Sequence, residues 1–300
     1  MSIGPLDGRR HAAHPLVPAS VTSMEEAPQR PRPVTDVSAA DWVVEGVGEF
    51  ASDIKGLLPV RFESYARILH PAWPSAGDRR SVRDAVPWRA VAAESGAVMH
   101  PQAQFDALIG AARGEARSYE PDVGELPRDL LSALCEVLEE HTATPQRCWY
   151  CIWDGWGWIE GSPAAGIAVL SDEVEGPIEM PPAFPPEIMD GPRVSLPHRD
   201  YILFEGTLRS ATELGWRFGE LLSAAHPELG FGAGDFDPQS PNLFWPHDHA
   251  WCVATEIDLD STYVGGSRAL VEALQKDPRF EALPARPDDR VDAASDRVNR

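Results

Sequence analysis

The sequence predicts an α+β protein: one domain with a mainly antiparallel sheet, a helical N-terminal part and disordered termini. Three observations carry this. Helical spacing dominates before residue 147, and short apolar runs bounded by turn residues dominate after it. The order of elements is α, β, three α, four β, α, two β, α, which is not the strict βαβ alternation of a parallel doubly wound sheet. The two ends lack apolar periodicity. Residues 1–36 hold six prolines and no aromatic residue, and residues 284–300 form a polar tail. Residues 37–283 then make the single domain. The chain has 300 residues, more than the ~150 of an average domain, but single α+β domains of about 200–250 are common.

The first helix is predicted over 39–57. Ser38 is its N-cap, Asp41 follows three residues on, and Val43, Val47, Phe50, Ile54 and Leu57 form a stripe. Pro59 ends it, and a strand over 60–68 follows, stopped at His70-Pro71-Ala72-Trp73-Pro74. Helices over 87–95 and 102–112 open near Pro87 and Pro101. A fourth, over 127–140, turns Leu130, Leu131, Leu134 and Leu138 inward. From Arg147 the string RCWYCIWDGWGWIEG reads as a hairpin with an Asp154-Gly155 turn. Further strands are predicted over 166–170, 201–205, 242–245 and 251–259. A long loop spans 171–200, with seven prolines and seven carboxylates. Ser210 and Glu213 suggest a capping box for a helix over 211–223, and a last helix over 267–276 follows Gly265-Gly266.

Composition narrows the function classes. The formal net charge of −21 argues against the phosphate backbone of nucleic acids and against anionic membrane surfaces, and suits a basic protein partner. Two lysines stand against 24 arginines, which looks like a coding bias. No run of 18 apolar residues occurs, so no membrane-spanning helix is expected. The N-terminus has no apolar signal core, and Met24 offers an alternative start. Four cysteines, Cys135, Cys148, Cys151 and Cys252, make no disulfide framework, and a cytoplasmic setting with reduced thiols is expected.

Several catalytic-looking strings fail on their neighbours. His198-Arg199-Asp200 and Asp235-Phe236-Asp237 suggest kinase elements, but Glu205 stands where a metal-binding Asn is needed, and no glycine-rich loop or strand lysine precedes. Ser52-Asp53-Ile54-Lys55 lacks its partner motifs, and Gly230-Phe231-Gly232-Ala233-Gly234 lacks the spacing of a dinucleotide loop. No assembled catalytic set is legible.

Three features remain. Cys148-x-x-Cys151, with His247, His249 and Cys252, has zinc-like composition. On a strand, residues three apart face opposite sides, so one metal cannot take both cysteines, and neither a metal nor another cofactor is expected. The hairpin would put Trp149, Cys151, Trp153, Trp156 and Trp158 on one face, with Trp245 and Trp251 as extensions; that face is either core or a binding platform. Glu256, Asp258 and Asp260 alternate, which puts them on one face of a strand as an acidic stripe, either a solvated face or a site for Mg²⁺, acid–base work or a basic partner.

The strings CWYCIWDGWGWIEG, RDYILFEG and NLFWPHDHAWCVATEIDLDSTYVGGSRALVEAL together resemble a group of uncharacterised proteins from high-GC Gram-positive bacteria. The resemblance covers the chain from about residue 42 to 284. It implies a bacterial cytoplasmic protein with one globular unit and brings no site residue with it. The functional expectation is therefore a non-enzymatic, acidic, protein-binding protein of a regulatory or immunity-like kind. The alternative is an enzyme or small-ligand-binding protein with a tryptophan-lined pocket and carboxylate chemistry. A pocket with convergent polar groups would favour the alternative, and a filled core under the tryptophans the first reading.

Overall fold

The computed structural model describes residues 29–49, 53–74, 85–110, 119–161, 181–225, 227, 232 and 236–299. In chain order the first half gives β1 (Arg32–Pro33), α1 (Asp41–Gly46), β2 (Ser64–Leu69), β3 (Ala72–Pro74), α2 (Trp88–Ser95), α3 (Phe105–Gly110), β4 (Tyr119–Pro121) and α4 (Arg128–Glu139). The second half gives β5 (Cys148–Trp153), α5 (Gly157–Glu160), α6 (Pro186–Met189), β6 (Val194–Leu196), β7 (Arg199–Gly206), β8 (Gly215–Arg217) and α7 (Phe218–Ala225). It closes with β9 (Phe236–Pro238), β10 (Leu243–Pro246), β11 (Cys252–Thr255), β12 (Ser261–Gly266), α8 (Arg268–Lys276) and β13 (Ala282–Ala285).

Among the described residues, nine strands form one antiparallel sheet in the order β1-β7-β5-β10-β11-β12-β2-β13, with β6 also on β7. The result is the expected single α+β domain. Its strands read as continuous apolar runs because both faces are covered. Along β5, Cys148, Tyr150 and Ile152 join the core under α4 and α8, while Trp149, Cys151 and Trp153 join a second core under α1. The leucines predicted for the helix over 127–140 do face the first core. In α8, Ser267 Oγ accepts the Leu270 amide at 3.2 Å, capping the helix where Gly266 ends the strand. A satellite core, centred on the fully buried Trp88, sits under α2, α3 and the β3–β4 ribbon.

Several expectations need correction. The helix over 39–57 is reduced to α1 and short 3₁₀ turns at Ser38–Ala40 and Ile54–Gly56, because Gly46 and Gly48 weaken it and Val47 turns extended (φ −84°, ψ 133°). Residues 50–52 lie outside the described residues, but Val43, Ile54 and Leu57 still meet in the second core. Ser38 does not cap α1; its amide donates to Asp36 Oδ1 at 3.0 Å. Ala72-Trp73-Pro74, read as a stop, pairs with β4. The helix over 211–223 is a 3₁₀ turn, a strand and α7, because Gly215 takes φ 134° and Ser210 Oγ donates to Thr207 O at 2.6 Å. The strand over 166–170 and the first part of the 171–200 loop lie outside the described residues; the rest holds α6, β6 and the start of β7.

The Asp154-Gly155 hairpin does not form. The partners of β5 are β7 and β10, with Cys151 opposite both Leu203 and Leu243. Asn242 Oδ1 accepts the Trp153 amide at 2.8 Å and Trp156 Nε1 at 3.2 Å, so the chain turns into α5 instead of returning. A two-residue hairpin does occur between β6 and β7, at Pro197-His198, where His198 takes φ 66°. The 251–259 strand stops at Thr255, and Glu256, Asp258 and Asp260 lie in the turn to β12, not on a strand face.

Both ends of the domain are longer than expected. Residues 32–33, assigned to the disordered N-terminal segment, pair with β7, and Val34 N donates to Leu203 O at 2.9 Å. The tail read as disordered begins with β13 and stays docked to residue 299. Ile54 and Lys55 amides bind Asp289 O and Pro287 O, each at 3.2 Å, and Val291 enters the second core. Asp296 is fully buried and accepts from Gln104 N, His100 Nε2, Val298 N and Asn299 N at 2.9–3.2 Å. Composition missed this because the tail docks through polar groups that pair one by one rather than through an apolar period.

Burial alone would raise the Asp296 carboxyl. The hydrogen bonds from Asn299, Val298 and His100 outweigh it and hold the group well below the usual carboxylate range. Its contribution is present above the unfolded Asp range near ~3.9 and is lost as pH falls through the lower folded value. Asp296→Ala is therefore expected to cost about 2 kcal/mol at pH 7. Deleting 286–299 should cost more, and the gap between Asp296→Ala and the parent should narrow steadily as pH falls below ~3.9. Urea melts at several pH values check this; an unchanged midpoint at pH 7 would show the tail to be passively attached.

Candidate ligand pocket

Residues far apart in sequence build one cavity of about 310 Å³ beside the β8–β9 ribbon. In that ribbon Trp216 pairs with Asp237 and Arg217 with Phe236. Pairing puts Trp216 and Asp237 on one face and Arg217 over the Phe236 ring, 5.3 Å from its centroid, on the other. Gly215 makes the ribbon possible, since a Cβ there would lie 2.2 Å from Asp237 O. Gln239 follows β9, held by its amide to Leu214 O at 3.0 Å.

A second wall is the turn before α4. Gly124 takes φ 75°, its amide donates to Leu259 O at 2.8 Å, and a Cβ would lie 2.5 Å from Ile257 O. Two residues on, Leu126 N donates to Ser240 Oγ at 2.9 Å. Glu125 is thus fixed from both sides and lines the cavity. The third wall is α5, through Gly157 and Trp158, with Trp158 edge-on to Phe184 at 5.9 Å.

Among the described residues five buried side-chain donors lack a partner; three, on Trp42, Trp149 and Trp245, lie in or against the second core, and two line this cavity. Trp158 Nε1 and Gln239 Nε2 are buried and have no hydrogen-bond partner, and Gln239 is only 7% exposed. Such donors cost free energy unless something accepts from them. Burial pushes the Glu125 carboxyl up to about 7, and the charges of Asp237 and then Asp122 push the same way. The cavity therefore holds donors that lack acceptors, a carboxyl that exchanges its proton near neutrality, and two indoles.

Of the residues predicted for a binding face, only Trp158 reaches this cavity. Trp149 and Trp245 are cross-strand partners in the second core, with Trp42 edge-on to Trp245 at 5.9 Å. Trp251 is fully buried in the first core, its Nε1 donating to Leu138 O at 3.2 Å. Trp153 and Trp156 meet edge to face at 5.7 Å but belong to opposite cores. Arg199 lies over Trp153 and binds Glu256 Oε1 at 2.9 Å and Asp258 Oδ2 at 2.7 Å. The expected acidic stripe is thus a clamp on one guanidinium, while Asp260 faces Arg67 at 3.5 Å. The space beside that clamp is about 20 Å³, room for about one water.

Cys148 and Cys151 lie in opposite cores, as strand alternation requires. Burial pushes the Cys148 thiol up to about 12 and the Cys151 thiol well above its ordinary value. Among the described residues, no cluster of three or more His, Cys, Asp or Glu side chains is arranged to hold a metal.

Sequence reasoning missed Glu125, Trp216, Asp237 and Gln239. Asp237 was tested only as part of a kinase triplet, and Trp216 was assigned to a helix. Glu125 carries no local signal beyond standing between Gly124 and Pro127.

The fold and cavity define an antiparallel α+β protein with a tryptophan-walled, acid-lined pocket. Compared with known protein families, curated proteins and solved structures, the chain matches none. No helix among the described residues is long and apolar enough to cross a membrane.

Proposed function

We propose that the protein binds a small polar ligand in the cavity between the β8–β9 ribbon, the Glu125 turn and α5. The observation that carries this reading is the pair of buried, unpartnered donors, Trp158 Nε1 and Gln239 Nε2, lining the same cavity as Glu125. Most of the tryptophans read as either core or platform lie inside the two cores, the outcome that suits a protein-binding role, but the cavity gathers convergent polar groups, the feature that favours a small ligand. A carboxyl titrating near 7 also suits proton transfer, so a catalytic use of the same pocket is the second reading.

Glu125 is kept at a cost to stability. Its folded pKa lies above the ordinary 4.5, so the unfolded chain gives up the proton first and stability falls as pH rises from 4.5 towards 7. Glu125→Gln should therefore raise the melting temperature at pH 8 and leave it unchanged at pH 4. A ligand-observed NMR screen of small polar fragments tests the pocket directly. Hits should weaken at least tenfold in Trp216→Ala; hits indifferent to Trp216 and Glu125, together with no gain from Glu125→Gln at pH 8, would remove the reading.

A further inference from the structure

The chemistry of the cavity lining selects a ligand class, provided the pocket reading above holds. Its ionisable groups are Glu125 on the turn and Asp237 on β9, and its described lining contains no Lys, Arg or His. Asp122, the residue immediately after β4, adds a third negative charge felt by Glu125. On β8 the basic neighbour Arg217 turns to the opposite face, over Phe236. An anionic ligand would meet carboxylates without a counter-charge. A neutral ligand would leave the crowding of negative charge in place. A cation relieves it, and indole faces attract cations. The donors of Trp158 and Gln239 need an oxygen acceptor as well.

We infer that the pocket takes a small organic cation, with its ammonium group between Glu125 and Asp237, its body against Trp158 and Trp216, and an oxygen acceptor facing the free N–H groups of Trp158 and Gln239. The cavity of about 310 Å³ corresponds to roughly ten waters, hence to a ligand of roughly ten non-hydrogen atoms. Binding the cation ionises Glu125. The released proton makes affinity depend on pH, through Glu125 and not through the ligand, whose amine stays charged below pH ~9.

The test is isothermal titration of the full chain with 4-(aminomethyl)benzamide and with its neutral isostere 4-(hydroxymethyl)benzamide, at pH 6 and pH 8, in buffers of different ionisation enthalpy. The amine should bind at least tenfold more tightly than the alcohol. Its affinity should rise about tenfold from pH 6 to pH 8, with proton release into the buffer. Glu125→Gln should weaken the amine and abolish the pH dependence, while circular dichroism shows the variant folded. Asp237→Asn should weaken the amine and spare the alcohol. Equal binding of amine and alcohol would overturn the cation and leave the pocket standing. Binding of neither would overturn both. Amine binding untouched by Glu125→Gln, Asp237→Asn and Trp216→Ala would place the cation on the acidic surface elsewhere and overturn the inference.

Discussion

Trp251→Ala is expected to cost about 3–5 kcal/mol of folding stability. The side chain is fully buried between the sheet and α4, edge-on to Phe244 at 5.5 Å. Its Nε1 donates to Leu138 O in the last turn of α4, a carbonyl that also accepts from His141 N at 3.0 Å. Gly266 fits against it on the neighbouring strand, where a Cβ would stand 3.4 Å from the Trp251 Cβ. Truncation removes the indole from a close-packed layer and leaves a cavity that rigid neighbours on the sheet cannot fill. Trp158→Ala should behave differently. That indole lines the pocket and has no hydrogen bond to lose, so its removal should cost under about 2 kcal/mol and weaken ligand binding instead. Urea titration at pH 7 separates the two. A Trp251→Ala cost within 1 kcal/mol of that of Trp158→Ala would mean that the two tryptophans are equally central, and the division between core and pocket would fail.

That division was only half legible. Alternation along Cys148 to Trp153 assigned each side chain to a face, and both faces proved buried. The spacing of Leu130, Leu134 and Leu138 gave α4, and Gly265-Gly266 marked where α8 starts. Pairing partners were another matter. Asp154-Gly155 satisfies the local rules of a hairpin turn, but the turn is decided by Asn242, which takes the Trp153 amide from far along the chain. Likewise the alternation Glu256-x-Asp258-x-Asp260 fits a strand or a charged turn equally well; Arg199 and Arg67, both distant in sequence, decide for the turn. The pocket was illegible for the same reason. Trp216 and Asp237 meet only because β8 pairs with β9, and Glu125 reaches them only because Gly124 jams against Ile257.

The last expectation concerns acid. His70 is fully buried where β2 gives way to β3, with Nδ1 donating to Asp122 O at 2.7 Å and Nε2 accepting from Thr262 Oγ1 at 2.9 Å. Thr262 in turn shares a 2.8 Å hydrogen bond with Thr255 across β11 and β12. Both ring nitrogens are satisfied by the neutral tautomer, and a second ring proton would point at the Thr262 hydroxyl. Burial lowers the His70 pKa to about 4, with the Arg67 charge adding to the effect and Asp122 opposing it. Since the folded value lies below the unfolded value near 6.5, the unfolded chain takes up the proton first. The contribution is fully present above pH ~6.5 and is lost as pH falls through that window towards 4. Its size is on the order of 3 kcal/mol. Burial also raises the Asp260 and Glu281 carboxyls above their ordinary values, so the parent curve alone cannot isolate His70. The comparison that does is with His70→Gln, whose side chain does not titrate. The variant should be less stable at pH 7, because it gives up the paired imidazole, and its disadvantage should shrink steadily between pH 6.5 and 4. Parallel stability curves over that interval would mean that His70 is charged in the folded protein or reaches solvent, and the buried network from Asp122 to Thr255 would have to be redrawn.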